Sequence, residues 1–399
     1  MNRREFIATG ACAAAMRVNA KEPTHRRYDI GVYYFPGWHT DLRMEKLHGK
    51  GWTEWEILKR AEAKFSGHAQ PKRPVWGFGD EADPLVFERK IAAAHGAGIT
   101  HFIFDWYWYE GTPFLERSLE RGYLAAKNKK DVRFCLMWAN HDWQELFPTR
   151  LGEALGELNR PEIFKGTYNA AEFDRVTDYV ISRYFSDPSY YCVAGAPYFS
   201  IYVLKQMIER MGGVEVCKSA LANFREKTRS AGFPDLHLNA VAFGLQGLES
   251  ARELLLSLNV NSVTSYTWAH HYELPTFPSS EYRDALECAP AYWTKARETF
   301  GVPYHLDVSV GWDPSPRTCQ SDQFQRAGYP FTPVLTGNTP QLFQSALASS
   351  KAYMDSHSDV PKILTINSWN EWTEGSYLEP EAIHGMGYLN AIRDIFGGE

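Results

Sequence analysis

Gly96-Ala97-Gly98-Ile99-Thr100-His101-Phe102-Ile103-Phe104-Asp105-Trp106 reads as a helix stop joined directly to a strand. Upstream, Pro84–Gly96 carries apolar residues at helical spacing, and the glycines that close it leave no room for a loop before the next β-branched and aromatic run. The same junction recurs along the chain. Strand-like runs fall at Tyr28–Phe35, Ile99–Trp106, Val132–Trp138, Pro197–Val203, Leu236–Phe243, Ser262–Tyr266, Tyr304–Val310 and Lys362–Asn367. Between them lie amphipathic segments at Pro84–Gly96, Ala171–Phe185, Val214–Ser230, Ser250–Leu258, Ala291–Thr299 and Pro340–Tyr353. Strands alternating with helices imply a parallel sheet covered by helices.

An open doubly wound sheet and a closed barrel both satisfy that alternation. The nucleotide-binding open sheet needs a glycine-rich turn after its first strand. Here that strand runs into Tyr33-Tyr34-Phe35-Pro36-Gly37-Trp38, whose bulky side chains deny a phosphate access to bare backbone. Eight strands in one chain favour a single (β/α)8 TIM barrel with a long loop after the first strand, and we find no internal repeat or linker. In such a barrel, functional side chains gather where the strands end. The first run ends near Tyr34, Trp38 and His39, the second in Asp105-Trp106-Tyr107-Trp108-Tyr109-Glu110, and the third in Trp138-Ala139-Asn140-His141-Asp142-Trp143. The sixth gives Tyr266-Thr267-Trp268-Ala269-His270-His271, the seventh Gly311-Trp312-Asp313 with Arg317 close behind, and the eighth Asn370-Glu371-Trp372-Thr373-Glu374. Connections at the other end, such as Gly301-Val302-Pro303, are short and plain.

Composition narrows the partners. A net charge of −6 supplies no basic stripe, so the phosphate-neutralising term behind nucleic-acid binding is missing. No apolar run is long enough to span a bilayer. Aromatic residues make up 15% of the chain, with 13 Trp and 22 Tyr, more than a core requires, and flat rings with polar edges suit ligands that mix CH faces and hydroxyls. Residues 1–20 read as an export signal. Arg3-Arg4-Glu5-Phe6-Ile7 resembles the twin-arginine type, and a small-residue stretch follows. The mature domain is then 21–399, periplasmic or extracellular. A lipid anchor at Cys12 stays open, although Thr9-Gly10-Ala11 lacks the usual Leu. The other five cysteines are widely spaced, without a C-x-x-C pair, and read as free thiols.

A mouth lined with rings, carboxylates, amides and a guanidinium is the composition of a carbohydrate site. Cleaving a glycosidic bond needs one carboxyl to protonate the leaving oxygen and a second to act as base or nucleophile. Glu371 and Glu374, three residues apart beyond the last strand, can reach one side of a tight turn, although acids at a helix start would read the same way. Candidate sugar binders are Tyr34, Trp38, Asp105, Trp106, Trp138, Asn140, Asp142, Tyr266, His270, Trp312, Asp313, Arg317, Asn370 and Trp372. Asp105 with Glu110 is a rival acid pair. Asp313 with Arg317 reads either as a clamp for a hydroxyl or uronate, or as a local ion pair. Trp52, Glu54 and Trp55 read as residues that fold the long loop back over the barrel. His270-His271 lacks metal-ligand spacing and carboxylate partners, so neither metal nor cofactor is expected.

Ser368-Trp369-Asn370-Glu371-Trp372-Thr373-Glu374-Gly375 resembles the N-E-W-x-E-G motif of glycoside hydrolase family 99, the endo-α-mannosidases and endo-α-mannanases. The continuation Ser376-Tyr377-Leu378-Glu379-Pro380 resembles the related WbsX-like family of bacterial polysaccharide loci. So do Gly51-Trp52-Thr53-Glu54-Trp55, Cys135-Leu136-Met137-Trp138-Ala139-Asn140 and Gly311-Trp312-Asp313 with Pro316-Arg317. The resemblance implies a (β/α)8 barrel and hydrolysis that retains anomeric configuration without a metal. It implies that Glu371 deprotonates the substrate's own 2-hydroxyl, which attacks the anomeric carbon, while Glu374 is the general acid. The chain departs from family 99 at Thr373, where His is usual, and in the longer first loop, from Pro36 to about Asp80. Substrate identity and endo or exo action therefore stay open. A conventional double displacement, a glycosyltransferase and a non-catalytic carbohydrate-binding barrel remain as alternatives.

Overall fold

A computed structural model describes residues 27–166, 169–245 and 250–397. The expected export signal, Cys12 included, lies outside the described residues. Eight parallel strands form the barrel: β1 (Asp29–Tyr34), β2 (His101–Tyr109), β3 (Arg133–Trp138), β4 (Ala196–Ile201), β5 (His237–Val241), β6 (Ser262–Thr264), β7 (Tyr304–Ser309) and β8 (Ile363–Asn367). Each pairs with its neighbours in sequence. β1 closes the ring by pairing with β2 on one side (Gly31 with His101) and with β8 on the other (Val32 with Ile366). Closure leaves no free sheet edge.

Local chemistry explains how the elements start and stop. The helix Pro84–Ala97 begins with Asp83, whose side chain accepts from the Leu85 N–H, and with proline in its first turn. It ends at Gly98, held at φ 92°, a left-handed position that costs glycine nothing. The helix between β6 and β7 runs over Tyr282–Phe300, nine residues longer at its start than the apolar period suggests. Pro290 sits inside this helix, which tolerates the loss of one backbone donor because its buried face packs on the barrel. Ala170–Val180 continues as one wide π-helical turn, Ile181–Phe185. Between β2 and β3 no α-helix forms. There β2 overshoots the rim and pairs antiparallel with Thr112–Phe114 through a two-residue turn at Glu110 (φ 53°) and Gly111 (φ 77°), and a π-helical turn at Ser118–Tyr123 and a 3-10 turn at Lys129–Asp131 follow.

Two long loops rise over the mouth. The first, after β1, carries short helices at Leu42–His48 and Trp55–Arg60. The second, after β7, carries a 3-10 turn at Ser315–Arg317 and a strand, Val334–Thr336, that pairs with Ser279–Glu281. They are stitched together by His68 Nε2 to Asp313 Oδ2 (2.8 Å), Gln70 Nε2 to Asp313 Oδ2 (2.7 Å) and the Glu62 N–H to Gln320 Oε1 (3.0 Å). Among the described residues, no helix is long and apolar enough to cross a membrane.

Candidate active site

A cleft of about 610 Å³ opens at the ends of the strands, within the size range of ligand sites. Its walls include Phe35, Tyr107, Trp143, Phe147, Tyr202, Phe243, Tyr266 and Trp312, with Asp105, Asp142, His270, Arg317, Tyr329, Glu371 and Glu374 among them. Alternation along each strand decides which side chains reach it. On β2, Asp105 and Tyr107 face inward, while Trp106 turns outward to Tyr179. On β3, Met137 lines the cleft and Trp138 stacks on the helical Phe173.

Eight of the fourteen sequence-derived binders do not line the cleft, and strand parity accounts for Tyr34, Trp106 and Trp138 among them. Tyr34 is buried against Phe87 and takes a hydrogen bond from Lys90. Trp38 packs on Trp55 and donates to the Asn370 carbonyl, and Asn140 ties down the backbone of Val203. Asn370 is spent on Phe35 and Glu81, and Trp372 donates to Glu379. Asp313 accepts from His68, Gln70 and Ser315 and is not paired with Arg317, so the two do not form a clamp. Glu110 stands exposed in the hairpin turn, away from Asp105.

Glu371 and Glu374 are brought together. After β8 the chain makes a two-residue bridge, Asn370–Glu371 with Ser376–Tyr377, around a 3-10 turn, Trp372–Glu374. Gly375 closes it at φ 66°, where an added Cβ would lie 2.5 Å from the Asp313 Cβ. Both glutamates are more than nine-tenths buried and share one guanidinium. Arg317 Nη1 donates to Glu374 Oε1 (2.6 Å) and Nη2 to Glu371 Oε2 (3.3 Å). One guanidinium reaching both holds the two carboxyls less than about 10 Å apart, the upper limit of the separations that glycosidase pairs use. From behind, Glu54 Oε1 accepts from Arg317 Nη2 (2.9 Å), and Thr373 Oγ1 both accepts from Arg317 Nε (2.9 Å) and donates to Glu54. Tyr329 Oη donates to Glu374 Oε1 (2.7 Å).

A second network joins two carboxyls in the cleft. Tyr266 Oη lies 2.9 Å from Asp105 Oδ2 and 3.1 Å from Glu371 Oε1. One hydroxyl has one proton, so it serves both carboxyls only as a shared donor, or one of them holds a proton of its own. Burial, then the neighbouring Glu374 carboxylate, push Glu371 well above the usual carboxylate range, against the pull of Arg317. Burial likewise raises Asp105. Arg317 donates to Glu371 and not to Asp105, a contact that favours the ionised form of Glu371 over that of Asp105. Burial also holds His270 neutral, at a pKa of about 4. Among the described residues, no group of three or more His, Cys, Asp or Glu side chains is placed to hold a metal ion.

Sequence reading missed Tyr107, Tyr202, Phe243 and Tyr329 as lining residues. Strand parity counted from Asp105 selects Tyr107. Tyr329, in a strandless loop between Gly328 and Pro330, carries no local signal.

Comparison with known proteins agrees with this architecture. Two structures of the family 99 endo-α-mannosidase from Bacteroides thetaiotaomicron superpose with a TM-score of 0.54 at 13% identity, one covering 91% of this chain and 94% of that one, the other 92% and 95%. A structure described as a glycoside hydrolase-like protein gives 0.57, also at 13%, over 94% and 95%. At such identities the likeness is one of fold. The uncharacterized protein WxcX of Xanthomonas campestris pv. campestris is 26% identical over 371 residues, 91% of this chain and 48% of WxcX. The chain thus spans about half the length of the curated relatives it matches. With the family model described as glycosyltransferase WbsX matching residues 30–392, the chain belongs to the WbsX family.

Proposed function

We propose that this protein is a glycoside hydrolase that cleaves an α-linked glycan of α-mannoside or α-rhamnoside type with retention of configuration. The observation that carries this reading is the pair Glu371 and Glu374 on one turn, bridged by Arg317 over a ring-lined cleft. Glu371 takes the proton of the substrate's 2-hydroxyl, and O2 attacks the anomeric carbon as the bond to the leaving oxygen breaks. Glu374 gives that oxygen a proton. In the second half Glu374 takes a proton from water, the water oxygen opens the strained ring at the anomeric carbon, and Glu371 returns its proton to O2. Each group thus ends as it began. Two contacts favour these roles. Arg317 donates to Glu371 and not to Asp105, which favours the ionised form that a base needs. Arg317 and Tyr329 both donate to Oε1 of Glu374, which leaves Oε2 to carry the proton toward the leaving group.

Among the described residues, Arg317 is the one Lys or Arg lining the cleft, and its nitrogens are committed to Glu54, Thr373, Tyr329, Glu371 and Glu374. That commitment favours an uncharged sugar at the cleavage point. The family's description as a glycosyltransferase supports a second reading, although the turn after β1, Phe35-Pro36-Gly37-Trp38, offers no glycine cradle for a nucleotide phosphate.

The test is to incubate residues 21–399 with α-mannans and rhamnose-containing polysaccharides, follow the anomer released by NMR, and repeat with Glu374→Gln. The expected result is retention by the wild type, with the variant still binding oligosaccharide but not turning it over. Wild-type protein that binds without cleaving would establish a binding barrel, and calorimetric binding of uridine or guanosine diphosphate would favour the transferase.

A further inference from the structure

Behind the turn that carries Glu371 lies a buried ionic cluster that does not line the cleft. Lys90, on the helix Pro84–Ala97, is 3% exposed. Its ammonium contacts Glu81, from the end of the first long loop, and Glu379 Oε1 at 2.6 Å. Glu379 spends both carboxylate oxygens on indoles of the turn: Trp369 Nε1 donates to Oε1 (2.8 Å) and Trp372 Nε1 to Oε2 (2.7 Å). Glu81 Oε1 accepts from Asn370 Nδ2 (3.0 Å). Asn370 is further clamped to the Phe35 backbone, its amide giving and taking 2.8 Å bonds, and its carbonyl accepts from Trp38 Nε1. Residues 369, 370 and 372, which bracket Glu371, are therefore all tied to one cluster on the side away from the cleft.

Two carboxylates and one ammonium out of water are a poor way to gain stability, because desolvation offsets their attraction and an apolar filling would serve as well. Their geometry serves another end. Paired acid and base groups work only when held within about 0.5 Å of the productive arrangement. The 3-10 turn closes on one backbone bond of its own, from the Gly375 N–H to the Trp372 carbonyl, so its direction depends on what its side chains hold. We infer that Lys90, Glu81 and Glu379 are positioning residues that set the direction of the Glu371 carboxyl. They act through Trp369, Asn370 and Trp372 and touch no substrate. In this way the helix after β1 and the end of the first loop fix the chemistry after β8.

Glu379→Gln tests this with little change of shape. An amide has one acceptor oxygen; placed where Oε1 now takes Lys90 and Trp369, it leaves its NH2 against the Trp372 indole N–H. On a substrate found by the screen above, which rests on the proposed hydrolysis, kcat is expected to fall about 10- to 100-fold, the usual cost of losing an outer-shell partner, with KM within about threefold of wild type. Glu381→Gln is the control. Glu381 accepts from the Ile383 and His384 N–H groups and from neither indole, and its kcat is expected to stay within about twofold. A folded Glu379→Gln with unchanged kcat, or with KM raised as much as kcat is lowered, overturns the inference. If Glu379→Gln does not fold, Trp372→Phe keeps a ring and removes one donor, and a several-fold loss in kcat alone is expected; an unchanged kcat overturns it. If the wild type turns over no glycan, the crystal structure of Glu379→Gln decides. A Glu371 carboxyl displaced by more than about 0.5 Å supports the inference, and an unmoved one overturns it.

Discussion

At the scale of single residues, the site is a problem in charge. Four carboxyls, Glu54, Asp105, Glu371 and Glu374, surround one guanidinium, and Arg317 contacts three of them. Not all can be ionised in so little water. Glu54 is the informative member. It is 2% exposed and does not line the cleft, yet its negative charge helps raise Glu371. Replacing it with Gln removes that charge and favours ionised Glu371, so the Glu371 pKa falls. A base must be ionised to act, and activity is lost as pH drops through its pKa. Glu54→Gln is therefore expected to move the acid limb of kcat/KM to lower pH by about half a unit or more, since even a fraction of a kcal/mol shifts a buried carboxyl that far. A limb moving to higher pH, or not at all, would mean that Glu371 does not govern it. The Gly51-Trp52-Thr53-Glu54-Trp55 stretch marked Glu54 as a residue that folds the loop back, but sequence gave no sign that it reaches across to Arg317, 263 positions away.

At the scale of elements, what was legible was periodicity, and what was not was parity and long-range pairing. All eight strands lie where β-branched and aromatic runs place them, and Val214–Ser230 forms its helix with the bounds its spacing predicts. Knowing that residues sit at a strand's end does not say which of them face inward. Tyr34, Trp106 and Trp138 are at strand ends and face the helices, while Asp105 and Tyr107 face the cleft. Alternation makes these two classes separable by experiment. Trp138 is 1% exposed and stacked on Phe173 at 5.5 Å, so Trp138→Ala should cost about 3–5 kcal/mol of stability in a denaturant titration. Tyr107→Phe keeps the ring that packs edge-on against Trp143 and loses only a hydroxyl at the cleft wall. It should leave the unfolding midpoint nearly unchanged and weaken glycan binding several-fold by calorimetry, the worth of one hydrogen bond. The opposite pattern would place Tyr107 in the core and Trp138 in the site.

At the scale of the whole molecule, the barrel has a chemical mouth and a second, unexpected polar floor. His101 and His237 open β2 and β5, and His305 is the second residue of β7, all at the end away from the cleft. His237 stacks with Tyr198 (5.2 Å) and lies 5.8 Å from His305, and His101 stacks on Tyr191 at 3.8 Å. Close approach is built in, because a Cβ on Gly31 would lie 2.4 Å from His101 Nε2. Burial lowers all three pKa values, His101 well below the ordinary value, His237 to about 4 and His305 to about 3. In the unfolded chain these imidazoles titrate near 6.5. Between that value and the depressed ones, the unfolded state binds more protons than the folded state, so stability falls as pH falls. The window opens near pH 6.5 and closes for His237 near 4 and for His305 near 3. Each histidine contributes a slope of about 1.4 kcal/mol per pH unit inside its window. Where these groups are concerned, the melting temperature is expected to drop between pH 6.5 and 4.5 and to be flat between 7 and 8, against the opposite pull of Asp307 and Glu81, whose carboxyls burial raises to about 7. His305→Phe should flatten the acid side, since His305 offers a buried Nδ1 with no hydrogen-bond partner for the variant to lose. A variant whose melting temperature falls with pH as steeply as the wild type would show that the barrel floor is not what yields to acid.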